Sequence, residues 1–132
     1  MVTKKQQKQL ELTERIEKVN TLIDKINLEI EQIKTNSNLA PDDSWLVRFR
    51  AKGKGGAYWY YKWQSDQAIF LTKNGNYSRY KYVGKAGSQA FFEAVEMMKN
   101  RTKISALQQV LHTLELARLD LVEEATRFNE RQ

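Results

Sequence analysis

Leu12, Ile16, Val19, Ile23, Ile26, Ile30 and Ile33 follow one another at intervals of four, three, four, three, four and three residues. A repeat averaging 3.5 residues keeps one apolar stripe along one side of a helix and requires a partner to cover it. Charged pairs such as Glu11 with Arg15 and Glu14 with Lys18 occupy the rest of the surface, at the spacing that supports an exposed helical face. Asn36-Ser37-Asn38 and the single proline, Pro41, stop the helix, because proline lacks the backbone donor and biases Ala40 away from helical angles. The first segment therefore reads as a coiled-coil helix over residues 1–36. An amphipathic helix packed on its own domain is the competing reading; three unbroken heptads favour a second long helix as the partner.

Such a helix is present at the other end. Ile104, Leu107, Leu111, Leu114, Leu121, Ala125 and Phe128 repeat the pattern over residues 104–132, interrupted at Arg118. Short connections would place the two helices side by side and antiparallel. They could satisfy each other within one chain or pair across a homodimer. The oligomerisation residues of the second reading are Ile16, Val19, Ile23, Ile26, Ile30, Ile33, Leu107, Leu111, Leu114 and Leu121.

Between the helices the period changes from 3.5 to 2. Trp45, Val47, Phe49 and Ala51 alternate with Leu46, Arg48, Arg50 and Lys52, the pattern of a half-buried strand. Gly53-Lys54-Gly55-Gly56 is a turn, and Ala57 to Gln64 (AYWYYKWQ) is a second strand, aromatic on both faces. Ala68 to Thr72 is a short third. Asn74-Gly75 is a hairpin signal, since both residues tolerate positive φ. Tyr77 to Val83 (YSRYKYV) alternates again, and Ser88 is placed to cap a helix whose stripe of Phe91, Ala94, Val95 and Met98 packs on the sheet. The expected fold is α+β, a small antiparallel sheet of three or four strands inserted between two long heptad-patterned helices.

Charge divides along the same boundaries. Residues 44–103 hold 12 Lys and Arg against Asp66, Glu93 and Glu96, a net of +9, while the segments before and after net −1 and −2. A positive, aromatic-rich head on a near-neutral coiled-coil stalk points to a polyanion as partner, nucleic acid first. The chain has no cysteine, which excludes disulfides and thiolate metal sites and fits a reducing cytoplasm. The polar start, Met1 to Lys8, lacks the apolar core of a signal peptide. No apolar run approaches the roughly 18 residues that span a bilayer, so no membrane role is expected.

Catalytic chemistry has little to draw on. His112 is the single histidine and falls mid-helix, and no HExxH pair or GxSxG turn occurs. The two glycine–lysine stretches, Gly53 to Gly56 and Gly84 to Ser88, lack the GxxxxGK[ST] spacing of a triphosphate loop and read as turns. The second could still attract a single phosphate at a helix N-terminus. With three carboxylates in the basic segment, neither a metal site nor another cofactor is expected. The chain reads as a non-enzyme.

The sheet is the informative site. If the strands pair in the simplest register, Arg48, Arg50, Lys52, Lys62, Arg79 and Lys81 share one face with Tyr58 and Tyr60, joined by Lys54 and Lys85 at its ends. Trp45, Val47, Phe49, Trp59, Tyr61, Trp63, Tyr80 and Tyr82 then form the core-facing side. Ammonium and guanidinium groups bind phosphates, and tyrosines stack on bases or reach phosphate oxygens.

The order of strands at Trp45–Ala51, Ala57–Trp63 and Ser78–Val83, followed by a helix through AFFEAVEMM (Ala90–Met98) and preceded by RYKYVG, resembles a known arrangement. It is similar to the three-stranded-sheet-plus-helix DNA-binding domain of integrase arm-binding modules and plant ethylene-response transcription factors. The chain as a whole also resembles small accessory proteins of bacterial mobile elements. The first resemblance covers about 50 residues and implies a sheet inserted into the major groove of duplex DNA through Arg48, Arg50, Lys62, Arg79 and Lys81. The heptad helices and the long 65–76 connection are foreign to that domain. The reading that follows is a dimeric, non-enzymatic nucleic-acid-binding protein, with duplex DNA favoured over RNA because regular basic strands suit a groove. Two alternatives stand beside it: a coiled-coil adaptor whose partner is another protein on the stalk, and a single-strand binder stacking bases on Tyr58, Tyr60 and Tyr77.

Overall fold

The computed structural model describes residues 2–130, in the order α1 (Lys4–Asn36), β1 (Ser44–Gly53), β2 (Gly56–Ser65), β3 (Phe70–Leu71), β4 (Tyr77–Ser78), β5 (Tyr80–Lys85) and α2 (Gln89–Glu130). This is the α+β, helix–sheet–helix layout expected from the change of period. The chain forms two compact units: α1 up to Thr35 with α2 from Ile104 onward, and residues 36–103.

In the first unit, α1 begins at a reciprocal cap. The Gln6 backbone N–H donates to Thr3 Oγ1 at 3.1 Å, and the Thr3 N–H donates to Gln6 Oε1 at 3.0 Å. Two otherwise unpaired donors are thereby satisfied. Along the seam Leu12, Ile23, Ile26 and Ile30 are buried, as are Ile104 and Leu121 of α2. Ile16, Val19, Ile33, Leu107, Leu111 and Leu114 are half-buried beside them. Arg15 pairs with Glu124 at 3.6 Å across the two helices. The heptad seam therefore closes within one chain, and residues assigned to oligomerisation are largely covered by the chain itself. Among the described residues of α2 from Ile104 onward, the large apolar side chains Val110, Leu116, Leu119 and Val122 remain exposed.

In the second unit, β1, β2 and β5 form an antiparallel sheet in the order β1-β2-β5, and β3 pairs with β4 in a separate two-stranded ribbon. The expected strand over residues 68–72 shrinks to Phe70–Leu71, and the expected strand 77–83 divides at Arg79 into β4 and β5. The start of α2 lies behind the sheet. Ala40, Trp63, Phe70 and Ala94 form its buried core, with Leu46, Val83 and Met97 packed around them. Tyr61 meets Phe91 edge-on at 4.7 Å. Ser88 caps α2 by accepting the Phe91 N–H at 3.2 Å, as its side chain predicts. Directly beside it, a Cβ on the buried Gly84 would come within 2.9 Å of Ser88 Oγ, so any other residue there would push the capping hydroxyl aside.

Asn100-Arg101-Thr102 leaves α2 unbroken over its 42 residues. Asn100 and Arg101 dock the α1–β1 connection instead. Asn100 Nδ2 donates to the Asn38 carbonyl at 3.2 Å, and Arg101 Nε donates to the Ala40 carbonyl at 2.8 Å. The Ala40 N–H donates to the Met97 carbonyl at 3.2 Å, and Arg101 also pairs with Asp42 at 3.2 Å. Ala40 is 1 % exposed with Arg101 in place, so its carbonyl depends on that guanidinium as its side-chain partner. Arg101→Ala is expected to destabilise the unit by about 1–3 kcal/mol, the cost of an unpaired buried acceptor. A denaturant melt checks this; an unchanged midpoint would show that the loop finds another partner.

Candidate nucleic-acid interface

Which side chains share a face of the sheet follows from its turn. Gly53 pairs with Gly56, leaving Lys54 and Gly55 as a two-residue turn that Gly55 enters at φ 87°, a region glycine reaches at no steric cost. The Tyr58 hydroxyl donates to the Lys54 carbonyl at 2.8 Å and fastens the turn. A two-residue turn sets even-numbered positions of β1 opposite odd-numbered positions of β2. Arg48 therefore faces Tyr61, Arg50 faces Trp59 and Lys52 faces Ala57, while Val47 faces Lys62 and Phe49 faces Tyr60.

The common basic face expected from the sequence is thus divided. Arg48, Arg50, Lys52 and Lys81 lie on the side backed by α2, together with Trp59, Tyr61 and Trp63. The opposite side carries Trp45, Val47, Phe49, Tyr58, Tyr60, Lys62, Tyr80, Tyr82 and Lys85. Five of the eight residues expected to face the core (Trp45, Val47, Phe49, Tyr80 and Tyr82) are on this open side instead. Of those on the α2 side, Trp63 is 5 % exposed but Trp59 is 43 % exposed.

The open side is an aromatic surface threaded by cations. Phe49 stacks on Tyr60 at 5.7 Å, and Tyr60 lies 6.2 Å from Tyr82. Lys62 sits at the centre, its Nζ 4.2 Å from the Tyr80 ring and 5.1 Å from the Phe49 ring. Lys85 Nζ lies 5.4 Å from the Tyr58 ring. Ammonium groups over ring faces are attracted by the quadrupole of the π-system. Neither strand nor turn supplies an acid: β1, β2 and β5 contain no Asp or Glu. Tyr82 and Tyr80 are 61 % and 44 % exposed, so their rings are open to a ligand.

Lys85 reaches this face through an irregularity. Between Tyr61 and Lys62 the pairing with β5 shifts, so that Tyr61 faces Gly84 but Lys62 faces Tyr82. Val83 is the extra residue of the resulting bulge, and it packs into the core.

The other expected site residues are placed differently. Arg79 bends back to β2, its Nε donating to the Ser65 carbonyl at 3.2 Å while its own carbonyl accepts the Ser65 N–H at 2.9 Å. It holds the strand end together. Lys54 stands exposed on the turn, and Tyr77 lies on the β3–β4 ribbon, outside the three-stranded sheet. Among the described residues no three His, Cys, Asp or Glu converge as metal ligands, and no helix is long and apolar enough to cross a membrane. No known protein family, curated protein or solved structure matches this chain.

Proposed function

We propose that the sheet unit binds single-stranded nucleic acid on its open face. The observation that carries this reading is the set of six aromatic rings on that face (Trp45, Phe49, Tyr58, Tyr60, Tyr80 and Tyr82), interleaved with Lys62 and Lys85 and free of carboxylates. Unpaired bases stack on such rings irrespective of sequence, and the lysines meet the phosphates between them. A duplex hides the faces of its bases, and reading its edges calls for projecting bidentate donors. On the open face both cations lie against rings, and the arginines are on the other side. That arrangement favours a single strand over the groove of duplex DNA.

The test is a titration of the whole chain against single-stranded DNA, single-stranded RNA and duplex DNA at two salt concentrations. Single strands are expected to bind more tightly than duplex. The logarithm of affinity should fall with that of salt by about 0.7 per phosphate contacted. A duplex preference would restore the groove-binding reading. Absence of binding to all three would leave the aromatic face as a protein-docking surface and the chain as an adaptor.

A further inference from the structure

The face of the sheet backed by α2 is only partly covered. Tyr61 and Trp63 lie under the helix, but the outer row of Arg48, Arg50 and Lys52 on β1 is exposed. The Arg48 guanidinium lies 4.5 Å from the centre of the Trp59 ring and the Arg50 guanidinium 5.3 Å. Two like charges thus converge on one indole, and among the described residues neither forms an ion pair. Stacking on the ring holds a planar guanidinium in place and leaves its N–H edges free, the geometry that takes phosphate oxygens in pairs.

Cations also join this row to the open face. Lys52 leads to Lys54 on the two-residue turn, and Lys85 lies beyond it against Tyr58 on the other side. No Asp or Glu interrupts β1, the turn or β2. We infer that a bound single strand does not end at the open face but continues around the β1–β2 turn, its phosphates passing Lys54 and Lys52 onto Arg48 and Arg50. This extends the open-face reading and rests on it. It assigns the arginines to the backbone and the tyrosines to the bases, on opposite sides of one hairpin.

Strand length separates the two roles. An open sheet face stacks about two or three bases, so an oligothymidylate of about four nucleotides is filled by that face alone, and one of about twelve has chain left to wrap. The whole chain is compared with the Arg48→Gln, Arg50→Gln double variant against both. The short oligomer is expected to bind both proteins equally, which also certifies the folded state of the variant. The long oligomer should bind the wild type more tightly than the short one. For the variant it should lose roughly tenfold, with the salt slope reduced by about 1.4, two contacts at about 0.7 each. Equal affinity of the two proteins for the long oligomer, with both lengths bound, overturns the wrapped path and leaves the open-face reading intact. A second short oligomer binding per chain, abolished in the variant, also overturns it in favour of two independent sites. If the wild type binds neither length, the open-face reading falls and takes this inference with it. Should the double variant lose the short oligomer too, Arg50→Gln alone, which leaves Arg48 on the indole, replaces it under the same criteria.

Discussion

Ile23→Asp is expected to unfold the helix pair. Ile23 is 5 % exposed at the middle of the α1 seam. Loss of a buried branched side chain alone costs about 2–5 kcal/mol, and an unpaired carboxylate in its place adds to that or drives a helix apart to reach water. A unit built of two helices has only a few kcal/mol in reserve. Far-UV circular dichroism on heating should show a transition lowered by about 15 °C or more, or no cooperative transition at all. Leu22→Asp is the matching control, one residue away but 41 % exposed, and should melt close to wild type. Equal melting of all three proteins would mean the heptad seam does not hold the unit. Sedimentation equilibrium on the wild type is informative beside it. A seam closed within the chain predicts a monomer, and a dimer would have to use other apolar side chains, such as Leu116, Leu119 and Val122.

Tyr60→Ala combined with Tyr82→Ala should remove most of the affinity for a single strand. The two rings are neighbours on the open face, 6.2 Å apart. Each base stacked on an aromatic ring is worth about 1–3 kcal/mol, so losing both should weaken binding by about 30-fold or more. Neither side chain belongs to the buried core, and the thermal transition should move little. The Phe versions of both positions discriminate between modes of contact. They should bind nearly as wild type if the rings stack on bases, and as poorly as the Ala versions if the hydroxyls bind phosphates. Wild-type affinity in the double Ala protein would remove the open face as a platform.

Elements were easier to read from the residues than faces. The heptad from Leu12 to Ile33 and the alternation of Trp45 to Lys52 each carry a period, and a period fixes the type of element without knowledge of its neighbours. The β2 sequence AYWYYKWQ carries no such signal for its orientation, because apolar rings stand at both odd and even positions. Its faces are set by loop length alone. An even-length turn, whether the two residues observed or the four of Gly53 to Gly56, sets Lys52 opposite Ala57 and places Arg48 and Arg50 with Trp59 and Tyr61; a common face with Tyr58 and Tyr60 would need an odd one. Glycines on both sides of Lys54 were the available clue, since tight two-residue turns depend on residues that tolerate positive φ. Asn100 and Arg101 were opaque for another reason. Their polarity inside an apolar pattern fits a helix break and a surface decoration equally, and their partners are carbonyls some 60 residues earlier in the chain, which no local pattern reveals.

The extra residue at Val83 acts as a change of parity. Before it, Tyr80 and Tyr82 point to the open face at even numbers; after it, the odd-numbered Lys85 does so. An uninterrupted strand would have sent Lys85 to the same side as Lys81 and left the tyrosine row without its terminal cation. Pairing Val83 as an ordinary strand residue would therefore do more than straighten the edge: it would exchange the sides of everything that follows, moving the glycine that accommodates Ser88 away from the helix. Deleting Val83, by contrast, would restore regular alternation with Lys85 still on the open face. A chain that builds its aromatic surface in this way must write it as Tyr-x-Tyr-x-x-Lys, a step of two followed by a step of three. Strict alternation would encode a different surface from nearly the same composition.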